Sequence, residues 1–477
     1  MTLPKKIIII SLLVALAAVN TYEIIRNIAP RGNVLYIHNW EDYIDEDVIE
    51  GFKAWYQAEH DGAEIEVVYS TFDTNETLHT RITKSRRKAD LICPSEYMIE
   101  RMYNEIDKKD GKRWLLPFNY DLIPNYYIWD EDGEILTDED GYPVKAVDDF
   151  GITLSGDSAE DSKYYVPYMW GTLGILYNTE EVGTDEDMDT WAALWRTDKY
   201  PYRIYMKNSI RDTICASNIY ARSKDLMELM DTTGGIYTPK PGYSELLCEV
   251  MNLTNADTFD ADLKTTENKL KEQKKYLKGY EVDYGKDELV SGMADMCLAW
   301  SGDAVWAILQ NSDLAYVVPR EGSNIWSDNW VMPKTAQNIE AAHAFINYIL
   351  DPRRAFDCMR WIGYTSGVLE AQNMYRTALL SEITNVPCVY EDQDEDGNTI
   401  TVEKTIFDLV YDFLEVEPGD PDAEAFLDKF NNSEEFQAMM LDTLFPSDNI
   451  RARCAVMRDF YKNKIDVLNM WTRVMIA

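Results

Sequence analysis

The sequence predicts an α/β protein of two lobes, each a mixed, mostly parallel sheet flanked by helices. Three observations carry that prediction. From residue 33 onward, apolar runs with strand character alternate with amphipathic helical segments, the βαβ succession that builds parallel sheets. The alternation restarts after an acidic, turn-rich interruption, so it comes in more than one block. The 477 residues are also enough chain for two or three ordinary domains with cores of their own.

VLYIHNW (34–40) reads as the first strand. In DVIEGFKAWYQAEH, Val48, Ile49, Phe52, Trp55 and Tyr56 fall on one helical face. EIEVVYSTF is a strand, ETLHTRITK a helix and ADLICPS the third strand. LGILYN (173–178) resumes the pattern, followed by the helix DTWAALWR, the strand RIYMKN and the helix IRDTICASNIYARS. The helix DELVSGM, the strand ADMCLAW, the helix DAVWAILQN and the strand LAYVVPRE come next. The short strand NWVMP and two helices within 338–361 complete the pattern. Two acidic stretches interrupt it, residues 130–161 and EDQDEDGN (391–398), and both read as hairpin tips because Asp-Gly suits a type I′ turn.

The first lobe is expected to comprise residues 31–178, with the acidic insertion 130–161, and to be rejoined by 326–372. The second takes 179–325 and the C-terminal part 373–477, which carries the acidic hairpin 390–403. Residues 1–30 stand apart as a signal or anchor segment: Lys5 and Lys6 precede the apolar run Ile7–Val19, short for a bilayer span. Ala15-Leu16-Ala17 offers a small-residue cleavage site, and no Cys follows that could take a lipid. The segment is either cleaved or kept as an anchor, the second being favoured; both place the bulk of the chain outside the cytoplasm.

Charge and motifs exclude several functions. A net charge of −38 leaves no basic face for phosphates, so nucleic acid is not a partner, while cations are attracted over distance. No GxSxG, GxxxxGK[ST], HExxH or strand-linked GxGxxG is present, and neither Cys93 nor Ser95 has a His at readable spacing, which argues against an enzyme. Seven scattered Cys without a CxxC and four unpaired His predict no disulfide framework, no metal cage and no cofactor. Asp392, Asp394, Asp396, Gly397 and Glu403 do match the spacing of a calcium loop. Their flanks read as strands rather than helices, which favours an exposed hairpin over a calcium site.

More informative are clusters of aromatic and acidic residues at strand ends. NWEDY (39–43) ends the first strand, PSEY (94–97) the third, and Asp212 opens the helix after RIYMKN. WSGDAVW (300–306) ends ADMCLAW, and WSDNW (326–330) follows the next strand. Ligands of open α/β sheets bind outside the carboxyl ends of strands, so these distant segments are expected to converge. An organic cation suits them: burying an ammonium requires carboxylates, and ring faces add cation–π attraction while covering methylenes. Asp42, Asp303 and Asp328 supply charge in this reading, and Trp40, Tyr43, Trp300 and Trp326 the walls. Each Trp taken alone reads as core packing, and each Asp alone as a helix cap; their joint placement at strand ends weakens that reading.

NWEDY, VVYSTFDTNETLHTRI, ADLICPSEYMIERM, VPYMWGTLGILYN, WAALW, WSGDAV, INYILDPRRA and IGYTSG, in this order from about residue 33 to 370, resemble the periplasmic spermidine/putrescine-binding proteins of polyamine ABC transporters. The resemblance implies a type II periplasmic-binding-protein-like fold with the ligand in the interlobe cleft. It implies an extracytoplasmic component that binds a polyamine and delivers it to a membrane permease, with no catalysis. The family's pattern places Trp40, Asp42 and Tyr43 around the ligand chain, with Ser95, Tyr97, Asp212, Trp300, Asp303, Trp326, Asp328 and Tyr364 completing the site. WSGD resembles the putrescine-binding branch, and Ser209 stands where a spermidine-type acid is expected, so a diamine fits at least as well as spermidine. Two rival readings remain: a binding protein for another small solute on the same fold, and a calcium-dependent surface adhesion module suggested by the acidic loops.

Overall fold

The computed structural model describes residues 33–130, 132–148, 161–183, 187–282, 284–393, 398–460 and 463–477. The expected signal or anchor segment 1–30, residues 149–160 of the acidic insertion and the hairpin tip 394–397 lie outside them. The candidate calcium ligands Asp394 and Asp396, and Gly397, belong to that tip. Among the described residues no helix is long and apolar enough to cross a membrane.

β1 (Val34–Trp40), β2 (Glu66–Phe72) and β3 (Leu91–Ile92) form a parallel sheet in the order β2–β1–β3. The helix Glu46–Glu59 covers it with Val48, Ile49, Phe52 and Tyr56 buried, the face that the apolar spacing predicts. Asp45 starts this helix by accepting from the Asp47 amide, and Thr74 does the same for Asn75–Thr83 by accepting from the Thr77 amide. β3 is shorter than ADLICPS suggests. Its Ile92 instead exchanges backbone hydrogen bonds with Val331, which draws a segment from far along the chain onto this sheet.

Further along run β4 (Leu115–Leu116), β5 (Val166–Asn178), β6 (Ile204–Lys207), β7 (Met230–Thr233), β8 (Ile236–Pro239) and β9 (Gly279–Glu281). They are followed by β10 (Met296–Trp300), β11 (Leu314–Val317), β12 (Ser323–Trp330), β13 (Met332–Pro333) and β14 (Thr365–Ser366). β15 (Cys388–Gln393), β16 (Thr399–Lys404) and β17 (Cys454–Ala455) complete the described strands. The large mixed sheet has the order β17–β12–β5–β10–β6–β9, with β11 and β14 also on β5. β5 is its organising strand. Val166–Thr172 pairs with β12, whereas Leu173–Asn178 pairs with β10 and β11, so one strand links the two halves of the sheet.

DTWAALWR forms a 3₁₀ turn, Trp191–Trp195, rather than an α-helix. Thr190 caps it, and the Trp191 indole donates to the Gly322 carbonyl, so tertiary anchors set its tight winding. NWVMP divides between the end of β12 and β13. The acidic insertion carries two successive turns, in which Gly133 and Gly141 donate back to the Asp130 and Asp138 carbonyls. Both glycines have positive φ and stand last in the turn, not in the type I′ central pair that the sequence suggested. β15 and β16 form the expected acidic hairpin.

The largest core runs from Leu35 and Ile37 through Phe52, Phe345 and Phe356 to the C-terminal Phe426 and Phe430. A second joins β6 and β10 to the helices Ile210–Ala221 and Tyr243–Asn252, through Met206, Leu298, Ile219 and Leu247. Residues 373–477 serve both cores and a third cluster: Ile406 and Phe426 enter the first, Ala455 and Met457 the second, and Val467 and Met470 pack on Leu263 and Leu270 of the helix Phe259–Lys274. All seven cysteines are unpaired.

Candidate ligand-binding site

The site grows from β12, whose residues SNIWSDNW are all buried. Alternation along a strand puts Trp326 and Asp328 on one face. The register with β5 shifts between Asp328 and Asn329, and such irregularities re-aim a side chain. Asp328 is thereby turned toward the N-terminal sheet, where Ser95 Oγ donates to its Oδ1 at 2.7 Å and Tyr43 OH to its Oδ2 at 3.0 Å.

Both donors are themselves held. Asn39 Nδ2 donates to the Tyr43 carbonyl at 3.0 Å, closing the NWEDY turn, and the Tyr168 hydroxyl donates to the same oxygen at 2.7 Å. Ser95 sits at the N-cap of the helix Glu96–Asn104 yet caps nothing with its side chain, because its hydroxyl is given to Asp328. Asn75 orients it by donating to Oγ at 3.0 Å.

Among the described residues Asp328 meets hydroxyls and no cation. Burial pushes its carboxyl up to about 7, opposed by the Ser95 and Tyr43 hydrogen bonds and reinforced by the nearby Asp212. Asp212, in the first turn of Ile210–Ala221, is likewise raised by burial against the favourable Ser209 and Trp300 side chains. Glu96 is a third buried acid. It accepts from the Ser327 amide at 3.0 Å through one oxygen, has no hydrogen-bond partner at the other among the described residues, and is raised by burial to about 8.

Rings enclose this carboxylate group. Tyr43 meets Tyr168 and Tyr364 edge-on at centroid distances of 5.7 and 5.6 Å, and Tyr364 meets Trp326 at 5.2 Å. The packing demands glycine in two places. A Cβ on Gly171 would lie 2.7 Å from the Trp326 ring and 2.6 Å from Ser301 Oγ, and one on Gly302 would fall on the Tyr364 ring.

Asp303, in the first turn of Ser301–Gln310, is the second pole, and here the structure departs from expectation. Lys207 Nζ lies 3.3 Å from Oδ2, Lys286 Nζ 3.3 Å from Oδ1, and Tyr364 OH donates to Oδ1 at 3.2 Å. Burial acts to raise this carboxyl, but the two ammoniums outweigh it and hold it below the usual range. The charge expected to await a ligand is thus compensated within the fold. Trp300 is engaged as well, with Lys207 Nζ 4.2 Å from its ring centroid.

Asp42, expected to hold an ammonium, is exposed beside exposed Glu41 at the tip of the turn and adopts φ 48. The turn that buries Tyr43 points its two acids at solvent. Trp40 is half-buried against Phe72 at 4.5 Å. Tyr97 is buried with its ring 4.7 Å from the Arg211 guanidinium, which Phe460 covers from another ring at 4.1 Å. Sequence reasoning singled out Tyr43, Ser95, Asp212, Trp300, Asp303, Trp326, Asp328 and Tyr364, and these do meet. It missed Glu96, Tyr168, Lys207, Arg211 and Lys286. Glu96 and Lys207 stood inside the quoted segments PSEY and RIYMKN, and the position of Lys207 at a strand end was the available signal.

A family model described as bacterial extracellular solute-binding protein matches residues 52–382. The spermidine/putrescine-binding periplasmic protein of Escherichia coli K12 is 24% identical over 394 residues, 81% of this chain and 92% of that protein. The putrescine-binding periplasmic protein PotF of the same organism is 23% identical over 393 residues, 79% of this chain and 88% of PotF. A solved structure from Listeria monocytogenes, provisionally named a spermidine/putrescine ABC transporter, superposes with a TM-score of 0.59 at 25% identity, covering 93% of this chain and 99% of that one. The two-lobed, periplasmic-binding-protein-like α/β fold expected from the sequence is the fold of this chain.

Proposed function

Because the chain belongs to the bacterial extracellular solute-binding protein family, whose members here are binding proteins and not enzymes, we propose that it is the extracytoplasmic receptor of a polyamine import system. In this reading a ligand of the putrescine/spermidine class sits between lobes made of 31–178 with 326–372 and of 179–325 with 373–477. A membrane permease receives the loaded form, and residues 1–30 export or tether the chain.

One observation carries the reading: Asp328 is a buried carboxyl with hydroxyl donors, ring walls and no cation of its own among the described residues. A buried carboxylate left uncompensated is costly, and a ligand ammonium is the group that relieves the cost. The names of the relatives point to the same chemistry. Titration calorimetry with putrescine, spermidine, spermine and cadaverine tests it. Saturable binding by at least one amine, lost in Asp328→Asn, is expected; no heat and no thermal shift with any of them overturns the proposal.

A further inference from the structure

The backbone on both sides of residues 458–460 is rooted in the second lobe. β17 pairs with Ser323 and Asn324 at the start of β12, the Met457 amide donates to Asn324 Oδ1 at 3.1 Å, and the Arg458 amide donates to Asn252 Oδ1 at 2.6 Å. Further on, Asn463 Nδ2 donates to the Leu253 carbonyl at 3.2 Å, and the helix Lys464–Met475 packs on Phe259–Lys274. Between these roots, two consecutive charged side chains reach across to the helix Glu96–Asn104. That helix packs in the first lobe, where Met98, Ile99 and Met102 share a core with Phe72, Leu78 and Ile82.

Arg458 Nη2 lies 2.8 Å from Glu100 Oε1, and Asp459 is ion-paired with Arg101. Positive then negative on one segment meets negative then positive on the other, so the order of charges fixes which residues meet. Phe460 adds a third contact. Its ring lies 4.1 Å from the Arg211 guanidinium, and the Tyr97 ring lies 4.7 Å from the same group. The three guanidinium nitrogens of Arg211 have no hydrogen-bond partner among the described residues, so ring faces, one from each lobe, are its direct partners. Tyr97, which the family's pattern places at the ligand, gives its ring to this sandwich beside the site acid Asp212.

We infer that Arg458, Asp459 and Phe460 form a clasp that holds the two lobes together over the ligand and sets how slowly it leaves. The inference rests on the lobe division and the receptor reading above, and adds a closing device to them. Ion pairs suit such a device because each partner regains water when the lobes part, so the clasp can open without baring a large apolar surface. Glu76 lies 3.7 Å from Arg101 Nη1, so Arg101 keeps an acid beside it in the open form.

The test compares the full chain with Arg458→Gln/Asp459→Asn by stopped-flow release of putrescine, or of spermidine where putrescine does not bind, and by small-angle X-ray scattering. The double variant is expected to release the amine at least about fivefold faster, with the association rate changed far less. Its ligand-free form is expected to have a larger radius of gyration than the natural chain. Equal release rates overturn the clasp while the receptor reading stands, and a lowered melting temperature with an unchanged release rate does the same. If no polyamine binds the natural chain, the receptor reading fails, and the ligand-free radii alone decide the clasp: equal radii overturn it. Should the double variant not fold, Arg458→Gln, at a partly exposed side chain, takes its place in both measurements.

Discussion

The Tyr43 hydroxyl donates to Asp328 Oδ2 at 3.0 Å, joining residues 285 positions apart. One comes from the turn after the first strand, the other from the irregularity in β12, and neither has a cation beside it among the described residues. The pair holds a carboxyl in place while leaving its charge unanswered. An ammonium that answers it gains a preorganised partner, because Ser95 and Tyr43 have already fixed its direction.

Asp328→Asn is expected to remove most amine affinity, about 3 kcal/mol or more, since a ligand charge would then be buried without its counter-ion. Folding should not suffer, because the amide keeps the shape and sheds a carboxyl that burial disfavours. Calorimetry together with thermal denaturation separates the two effects.

Tyr43→Phe deletes one hydroxyl donor to Asp328 while keeping the ring against Tyr168 and Tyr364. A loss of about 1.5–3 kcal/mol in amine affinity is expected, the size of a hydrogen bond to a charged group. The same change should raise the Asp328 carboxyl further, which a shift of the pH–affinity curve to higher pH would register.

The pH dependence has a definite sign. Asp328 stays protonated in the folded chain up to about 7, whereas in the unfolded chain it ionises near the ordinary carboxyl value. Folded protein therefore holds more protons between those values, and this group's contribution lowers stability as pH rises through the window, by at most about 1.4 kcal/mol per unit. The stability advantage of Asp328→Asn over the natural chain should grow between about pH 5 and pH 7. Amine affinity should rise over the same window, with a proton released on binding. Glu96, raised to about 8, acts in the same direction, and Asp212 is the acid that reinforces Asp328.

Asp42→Asn is expected to leave amine affinity within about twofold, because this carboxylate is exposed and outside the buried cluster. Asp42→Val should instead cost about 1–2 kcal/mol of stability, since φ 48 suits Asp, Asn or Gly and not a branched side chain. A large loss of affinity in Asp42→Asn would restore the role that the sequence motif assigns to it.

Gly302→Ala places a methyl group against the Tyr364 ring. Overpacking of this kind costs about 1–3 kcal/mol, and displacement of Tyr364 would break its hydrogen bond to Asp303. Lower melting temperature and weaker amine binding are expected together.

The amino-acid sequence alone set the alternation of strands and helices, the buried helix faces and the placement of aromatic–acid segments at strand ends. These are local matters of periodicity and residue type, legible wherever apolar spacing repeats. It also brought Tyr43, Ser95, Asp303, Asp328 and Tyr364 under suspicion as a group. Which acid is left unanswered was decided only by the tertiary structure. Asp42, Asp303 and Asp328 look alike in NWEDY, WSGD and WSDNW, but a turn exposes the first, two lysines neutralise the second, and only the third is buried among hydroxyls. The physical reason is that a carboxylate's function depends on its desolvation and on the charges beside it. For Asp303 those charges come from Lys207 and Lys286, 96 and 17 positions away in the chain.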